Sequence, residues 1–170
     1  MAIVGAGILG LAHAYFAAKR GRSVVVFERT ARAQGASVRN FGMIWPIGQR
    51  AGIVHQTAMR SRQIWQEFLD AARLPYRPTG SLHVVYHQDE AEVAREFVER
   101  APGLAYICTW LSRDDALATS NAINPAGLLG AIWSPTEITV DPRLILARLP
   151  EFLSEKFAVQ FRFGTAVRSI

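Results

Sequence analysis

The chain opens on a short apolar run at 2–4, which reads as a strand, and then on glycines at 5, 7 and 10 that lead into an alanine-rich stretch. That stretch predicts a helix over 8–20. Ala12, Ala14, Ala17 and Ala18 favour helix strongly, Lys19 and Arg20 suit its negative end, and Gly21 stands where a helix commonly terminates. A second apolar run at 24–27 predicts the next strand, closed by the acidic Glu28. The order is strand, glycine turn, helix, strand, acid.

Beyond Glu28 the pattern is more varied. Residues 29–40 predict a loop, and the apolar, glycine-punctuated 41–48 a short extended piece. Over 52–73, Val54, Ala58, Trp65, Phe68 and Ala72 recur at helical spacing while Arg60, Arg62, Gln63, Gln66 and Asp70 take the other face. Pro75 and Pro78 end that long helix. A strand is expected at 80–87, an amphipathic helix at 89–100, a short strand at 105–110, and a short helix capped by Ser112 with Asp115 three positions on. Residues 128–133 and 137–140 are strand-like. Asp141-Pro142 starts a helix expected to reach 157, with Pro150 as a bend or break, and strands are expected at 159–163 and 165–170. This is an α/β layout (α+β overall): one mononucleotide-binding unit, a long insertion of strands and helices, then a return to strands. A plain NAD dehydrogenase domain would instead continue in even units of strand and helix.

Composition narrows the class. With 170 residues, half of them hydrophobic, the chain can bury a sizeable core and fits one domain or one domain plus part of another. The net charge of +5 is spread over scattered arginines, with no basic block interleaved with aromatics, so nucleic acid is not an expected partner. Residues 2–18 are apolar but carry His13 and three turn-type glycines and fall short of a span, so no membrane insertion is expected. The single cysteine, Cys108, cannot form an internal disulfide and suits a cytoplasmic setting, where it reads as a small buried hydrophobe. His83 and His87 are four apart on a strand, too far to share a metal, and no metal site is expected.

The chemistry lies in the first thirty residues. Gly5 permits the tight turn, Gly7 lets a pyrophosphate approach the backbone, and Gly10 lets the helix pack on the strand. The helix N-terminus, at Ala6, Ile8 and Leu9, presents N–H groups and a positive dipole end to that phosphate. Glu28 lies 18 residues after Gly10, close to the spacing at which a carboxylate meets a ribose hydroxyl, and it would repel a 2′-phosphate; Arg29 beside it points the other way. The loop holding Gly35-Ala36-Ser37 can fold back on the pyrophosphate, and Asn40 and Gly42 can hold backbone close to an extended cofactor, although Asn40 also reads as a simple turn residue.

Taken together, Gly5/Gly7/Gly10, Glu28, the Ser37–Asn40–Gly42 stretch, Ile138-Thr139-Val140-Asp141-Pro142 and Thr165-Ala166-Val167 resemble the FAD-dependent D-amino-acid oxidase superfamily, which includes glycine oxidase and sarcosine oxidase. The resemblance implies FAD as cofactor. It places Gly5, Ala6, Gly7, Ile8, Leu9 and Gly10 at the pyrophosphate, Glu28 and Arg29 at the adenosine ribose, Ser37, Asn40 and Gly42 along the pyrophosphate-to-flavin stretch, and Val167 against adenine. Met43, Ile44 and Trp45 would then wall the flavin pocket. The substrate implied is a small-molecule amine or amino acid, oxidised at its C–N bond by hydride transfer to flavin, with no acid–base triad required and no catalytic residue assigned. Residues 37–49 and 55–62 look like a subgroup associated with aminophosphonate breakdown.

On the same resemblance, 1–48 begin a Rossmann-like FAD-binding domain and 49–80 continue it as helix. Residues 81–140 belong to a strand-and-helix substrate domain, and 141–170 return to the FAD-binding domain, which is incomplete at the C-terminus. The chain therefore reads as an N-terminal portion, expected to be inactive alone. An NAD-dependent dehydrogenase domain and a non-catalytic, truncated dinucleotide-binding module remain alternatives, and the oligomeric state is open.

Overall fold

The computed structural model describes residues 1–169. In chain order the elements are β1 (Ala2–Val4), α1 (Ile8–Lys19), β2 (Val25–Glu28), β3 (Met43–Ile44), α2 (Ile53–Ala71), β4 (Tyr76–Arg77) and β5 (Ser81–Val85). There follow α3 (Gln88–Arg100), β6 (Thr109–Ser112), α4 (Arg113–Thr119), β7 (Gly130–Ser134), β8 (Ile138–Val140), α5 (Pro142–Phe157) and β9 (Gln160–Phe163). They form two compact units. The first comprises Met1–Gly42, Leu69–Pro75 and the chain from Val140 on; the second comprises Met43–Phe68 and Tyr76–Thr139.

In the first unit β1, β2 and β9 form a parallel sheet in that order, with Ile3 opposite Val26 and Val26 opposite Phe161. Parallel neighbours need a crossover, and α1 supplies it between β1 and β2. Ile3 and Val26 are buried together with Leu11 and Ala14 of α1 and Leu149 and Leu153 of α5. The two helices also meet through Tyr15 and Phe157, whose rings pack edge-on at 5.6 Å. Helix α1 ends as its sequence suggests: Arg20 is the cap and Gly21 follows at φ +73°. Helix α5 starts on Asp141, whose carboxylate accepts the N–H groups of Arg143 and Leu144 at 2.8 and 3.2 Å, with Pro142 in the first turn.

Of the bend or break expected at Pro150 the break does not occur, and one expected strand is absent. Pro150 does not break α5, which runs continuously to Phe157. The proline removes one backbone donor, but the buried stripe of Ile145, Leu146, Leu149 and Leu153 holds both halves in one helix. Residues 165–169 form no strand. Gly164 turns the chain at φ +69°, Thr165 N–H reaches Glu28 O at 2.9 Å, and no ladder partner follows among the described residues. Ile170, the last residue of the expected strand, lies outside the described residues.

In the second unit β5, β7 and β6 form an antiparallel sheet with Leu82 opposite Trp133 and Trp110 opposite Ile132. Successive side chains point to opposite faces. Val85 and Ile132 therefore pack with Ala91 and Ala94 of α3, while Leu82 and Val84 join Ala131, Leu128 and Ala116 of α4. A smaller sheet orders β3, β8 and β4. The strand expected at 105–110 forms later, as β6. The turn at Pro102–Leu104 ends with Ala105 at φ +63°, and Tyr106 is held by its side chain: its hydroxyl donates to Gln49 O at 2.6 Å and its ring lies 4.4 Å from that of His55. Ser112 caps α4 by accepting the N–H of Asp115.

Candidate cofactor site

The site lies in the first unit, where β1 turns into α1. Gly5 adopts φ +97°, a conformation that disfavours any side chain, and its N–H donates to Phe27 O at 2.7 Å, tying the turn to β2. Gly7 is the extended residue that caps α1, and its carbonyl accepts from Leu11 N–H. Gly10 faces the turn so closely that a Cβ there would overlap the Gly5 carbonyl oxygen. One glycine sets the backbone sign, the second leaves room for the Ser37 hydroxyl at the start of the helix, and the third allows helix and turn to touch.

Two side chains close on this turn from later in the chain. Ser37 Oγ accepts the Ile8 N–H at 3.1 Å, and a Cβ on Gly7 would come 3.2 Å from it. Ser37 comes from a tight helical turn, Ala36–Arg39, inside the stretch expected to be loop. Glu28 is buried, 9% exposed, at the end of β2. Its Oε2 accepts the Ala6 N–H at 2.9 Å, and its Oε1 accepts both the N–H and the hydroxyl of Thr30, at 3.1 and 2.8 Å. Burial disfavours the charged carboxyl. The hydrogen bonds from Ala6 and Thr30, with the Arg29 charge added, outweigh burial and hold the carboxyl below its ordinary range.

The structure thus joins Gly5, Ala6, Gly7, Ile8, Gly10, Glu28 and Ser37 through the contacts just given. Leu9, 76% exposed, stands on the first turn of α1 facing solvent, and Arg29 is exposed beside Glu28. Asn40 and Gly42 are held separately. Asn40 Oδ1 accepts the Gly42 N–H at 2.9 Å, a turn geometry, and Gly42 at φ +76° sits against the Val140 carbonyl with no room for a Cβ. Val167 is 39% exposed in the irregular segment after β9. Thr30 was not singled out in the sequence; a hydroxyl two residues past a strand-end acid was its only signal.

The second unit holds a buried carboxylate that the sequence did not mark. Glu137 is 0% exposed; Oε1 accepts from Ile47 N–H at 3.1 Å and Thr136 Oγ1 at 2.8 Å, and Oε2 from Ser81 Oγ at 3.1 Å. Its neighbourhood includes a cavity of about 600 Å³ lined by Met43, Trp45, Ile47, Leu82, His83 and Phe97 among others. His87 caps α3 in a reciprocal box with Glu90. Cys108 is half-buried, and burial, then the Glu137 charge, push its thiol above the ordinary value, which disfavours the reactive thiolate. Among the described residues no helix is long and apolar enough to cross a membrane.

A parallel strand–helix–strand unit, a three-glycine turn against a helix N-terminus and a carboxylate at the end of the second strand define a dinucleotide-binding protein. Its residues suit FAD: a glycine turn, a helix N-terminus and the Ser37 hydroxyl stand where a pyrophosphate would approach, and a carboxylate held below its ordinary range stands where a ribose would. The family model described as "FAD dependent oxidoreductase" (DAO) matches residues 1–170, and the chain belongs to that family. FAD is the cofactor of that family. The chain is 30% identical over 148 residues to a subunit of the anaerobic glycerol-3-phosphate dehydrogenase of Escherichia coli K12, a match covering 86% of this chain and 27% of that protein. It is 25% identical to D-amino acid dehydrogenase 2 of Mesorhizobium japonicum, covering 99% of this chain and 54% of that one. The fold superimposes on the crystal structure of glycine oxidase from Bacillus cereus with a TM-score of 0.88 at 20% identity, over 99% of this chain and 47% of the other. The chain therefore spans between about a quarter and a half of these relatives.

Proposed function

We propose that this chain binds FAD through the Gly5–Gly10 turn and Glu28 and belongs to an enzyme that oxidises the C–N bond of a small amine or amino acid. The observation that carries the reading is the junction of turn and acid, Ala6 N–H on Glu28 Oε2 at 2.9 Å, in a chain matched end to end by a family of FAD-dependent oxidoreductases. When bound, the flavin supplies a hydride acceptor for the carbon that bears the nitrogen, and water then hydrolyses the imine. The protein's part is to bind and orient. The Leu9 N–H and the hydroxyl of Ser37, itself held by the Ile8 N–H, meet the pyrophosphate, Glu28 with Arg29 meets the ribose, Asn40 and Gly42 follow the chain toward the flavin, and Val167 meets adenine. In this reading 1–48 and 141–170 are the FAD-binding portion, 49–80 its helical continuation and 81–140 part of the substrate domain, in a cytoplasmic protein.

Residues 37–49 and 55–62 support a narrower substrate class, an amine that carries a phosphonate in place of a carboxylate. Titrating the purified chain with FAD, followed by quenching of flavin fluorescence, tests the cofactor. Saturable quenching supports the reading, whereas NADH binding without FAD binding refutes it. Anaerobic bleaching of the flavin in the whole enzyme to which the chain belongs, by an aminoalkylphosphonate compared with the amino acid of equal chain length, tests the substrate. Faster bleaching by the amino acid rejects the phosphonate.

A further inference from the structure

Glu28 carries more donors than a simple strand-end acid needs. A carboxylate has about four acceptor positions. Both on Oε1 face Thr30, whose N–H and hydroxyl lie at 3.1 and 2.8 Å, and one on Oε2 faces the Ala6 N–H at 2.9 Å. Thr30 is itself fixed. Its carbonyl accepts the Gly164 N–H at 3.1 Å just past β9, so its backbone is pinned on the side away from the glycine turn. The Thr30 oxygen also lies 2.6 Å from the Arg32 carbonyl, a second acceptor for its single proton, but the ionised carboxylate makes the stronger claim.

We propose that Thr30 is a positioning residue for the cofactor's adenosine ribose: it occupies Glu28 Oε1 and orients the carboxylate so that one acceptor position, on Oε2 beside the glycine turn, is left for one ribose hydroxyl. This rests on the FAD reading above and adds to it. Glu28 takes a single hydroxyl, not the ribose diol, and Thr30 decides which oxygen takes it. Apart from the Thr30 N–H, which stays, no other donor to Oε1 is present among the described residues, so removing the Thr30 hydroxyl opens one of its two acceptor positions and loosens the choice.

The test uses the purified chain, with FAD affinity read by fluorescence quenching and ADP, 2′-deoxy-ADP and 3′-deoxy-ADP as competitors. In the unsubstituted protein, removing one ribose hydroxyl weakens ADP about tenfold, the size of one charge-assisted hydrogen bond, while removing the other leaves affinity unchanged. Thr30→Val keeps the N–H and the shape but loses the hydroxyl. It weakens FAD about tenfold and shrinks the difference between the two deoxy nucleotides, and Thr30→Ser restores both within about twofold. A purely structural threonine would change stability without changing that hydroxyl preference. The proposal is overturned by equal losses for both deoxy nucleotides in the unsubstituted protein, a measurement that needs no variant to fold. It is also overturned by a Thr30→Val protein with normal circular dichroism that binds FAD as before. Absence of FAD binding in the unsubstituted protein removes the cofactor reading itself, and this proposal with it.

Discussion

Replacing Gly10 by alanine sets two physical terms of opposite sign against each other. In an ordinary helix interior, Gly→Ala stabilises by about 1 kcal/mol, because alanine loses less backbone freedom on folding. In α1 the added Cβ overlaps the Gly5 carbonyl oxygen and comes within 3.1 Å of the Gly5 carbon and 3.5 Å of Ile3 Cγ2. The obstructing atoms are backbone and cannot rotate aside. Gly5 is pinned by its 2.7 Å bond to Phe27 O, and α1 is pinned by the buried Leu11 and Ala14, so relief requires separating helix from strand. Overpacking of this kind costs about 1–3 kcal/mol, and a rigid neighbour puts it at the upper end. The net expectation is a loss of about 2 kcal/mol, which for a chain of this size lowers the melting temperature by about 4–8 °C. Urea midpoints and thermal melts of Gly10→Ala measure it, with Gly21→Ala as the comparison. Gly21 has φ +73° and no atom within 4 Å of an added Cβ, so it bears conformational strain alone. A Gly10→Ala protein as stable as the parent, or more so, would show that α1 and the glycine turn are not in the contact described.

Other outcomes follow from the same geometry. Ser37→Ala removes the acceptor of the Ile8 N–H and should cost about 1 kcal/mol in urea unfolding while weakening FAD in titration. Because its folded-state carboxyl is held below the ordinary range, Glu28 stabilises fully at neutral pH, and that contribution fades as pH falls below about 4 and through the folded-state value. The stability gap between the parent and Glu28→Gln should thus be widest near neutrality and close in acid; a gap that widens in acid contradicts the hydrogen-bond assignment. At Glu137, glutamine should be tolerated within about 1 kcal/mol, since its amide can donate to Ser81 Oγ while its oxygen keeps the other two bonds. Glu137→Leu leaves the partly buried Ile47 N–H and Ser81 hydroxyl without this acceptor, while the Thr136 hydroxyl can turn to Ser134 Oγ at 3.0 Å, and it should cost about 2 kcal/mol or more in thermal melts.

What could be read from the residues alone were features whose partners lie a few positions away. The glycines, the Asp141 and Ser112 caps and Gly21 at the end of α1 all depend on contacts within about one turn, and they stand in the structure as the pattern implies. The stripe expected on α2 holds only in part: Phe68 is buried, but Val54 is 44% exposed and the helix buries His55 and Leu69 instead, because the partners that cover it lie far along the chain. Asn40 was legible as a turn residue for the same reason. Ladders and burial need remote partners, and there the pattern misled. Residues 165–169 have strand composition but no neighbour to pair with among the described residues, and Tyr106 leaves the expected strand because its side chain finds Gln49 and His55.

The same division runs through the site. Sequence by itself determined that a glycine turn, a helix N-terminus and an acid would form one dinucleotide-binding unit, because strand–turn–helix–strand order allows little else. Only the tertiary structure decided how that acid is held. Parallel pairing of β1 with β2 brings Glu28 to the Ala6 N–H across 22 positions, and β9 pins Thr30 behind it. A carboxylate's direction is set by the donors that surround it, and those donors come together only when the sheet forms.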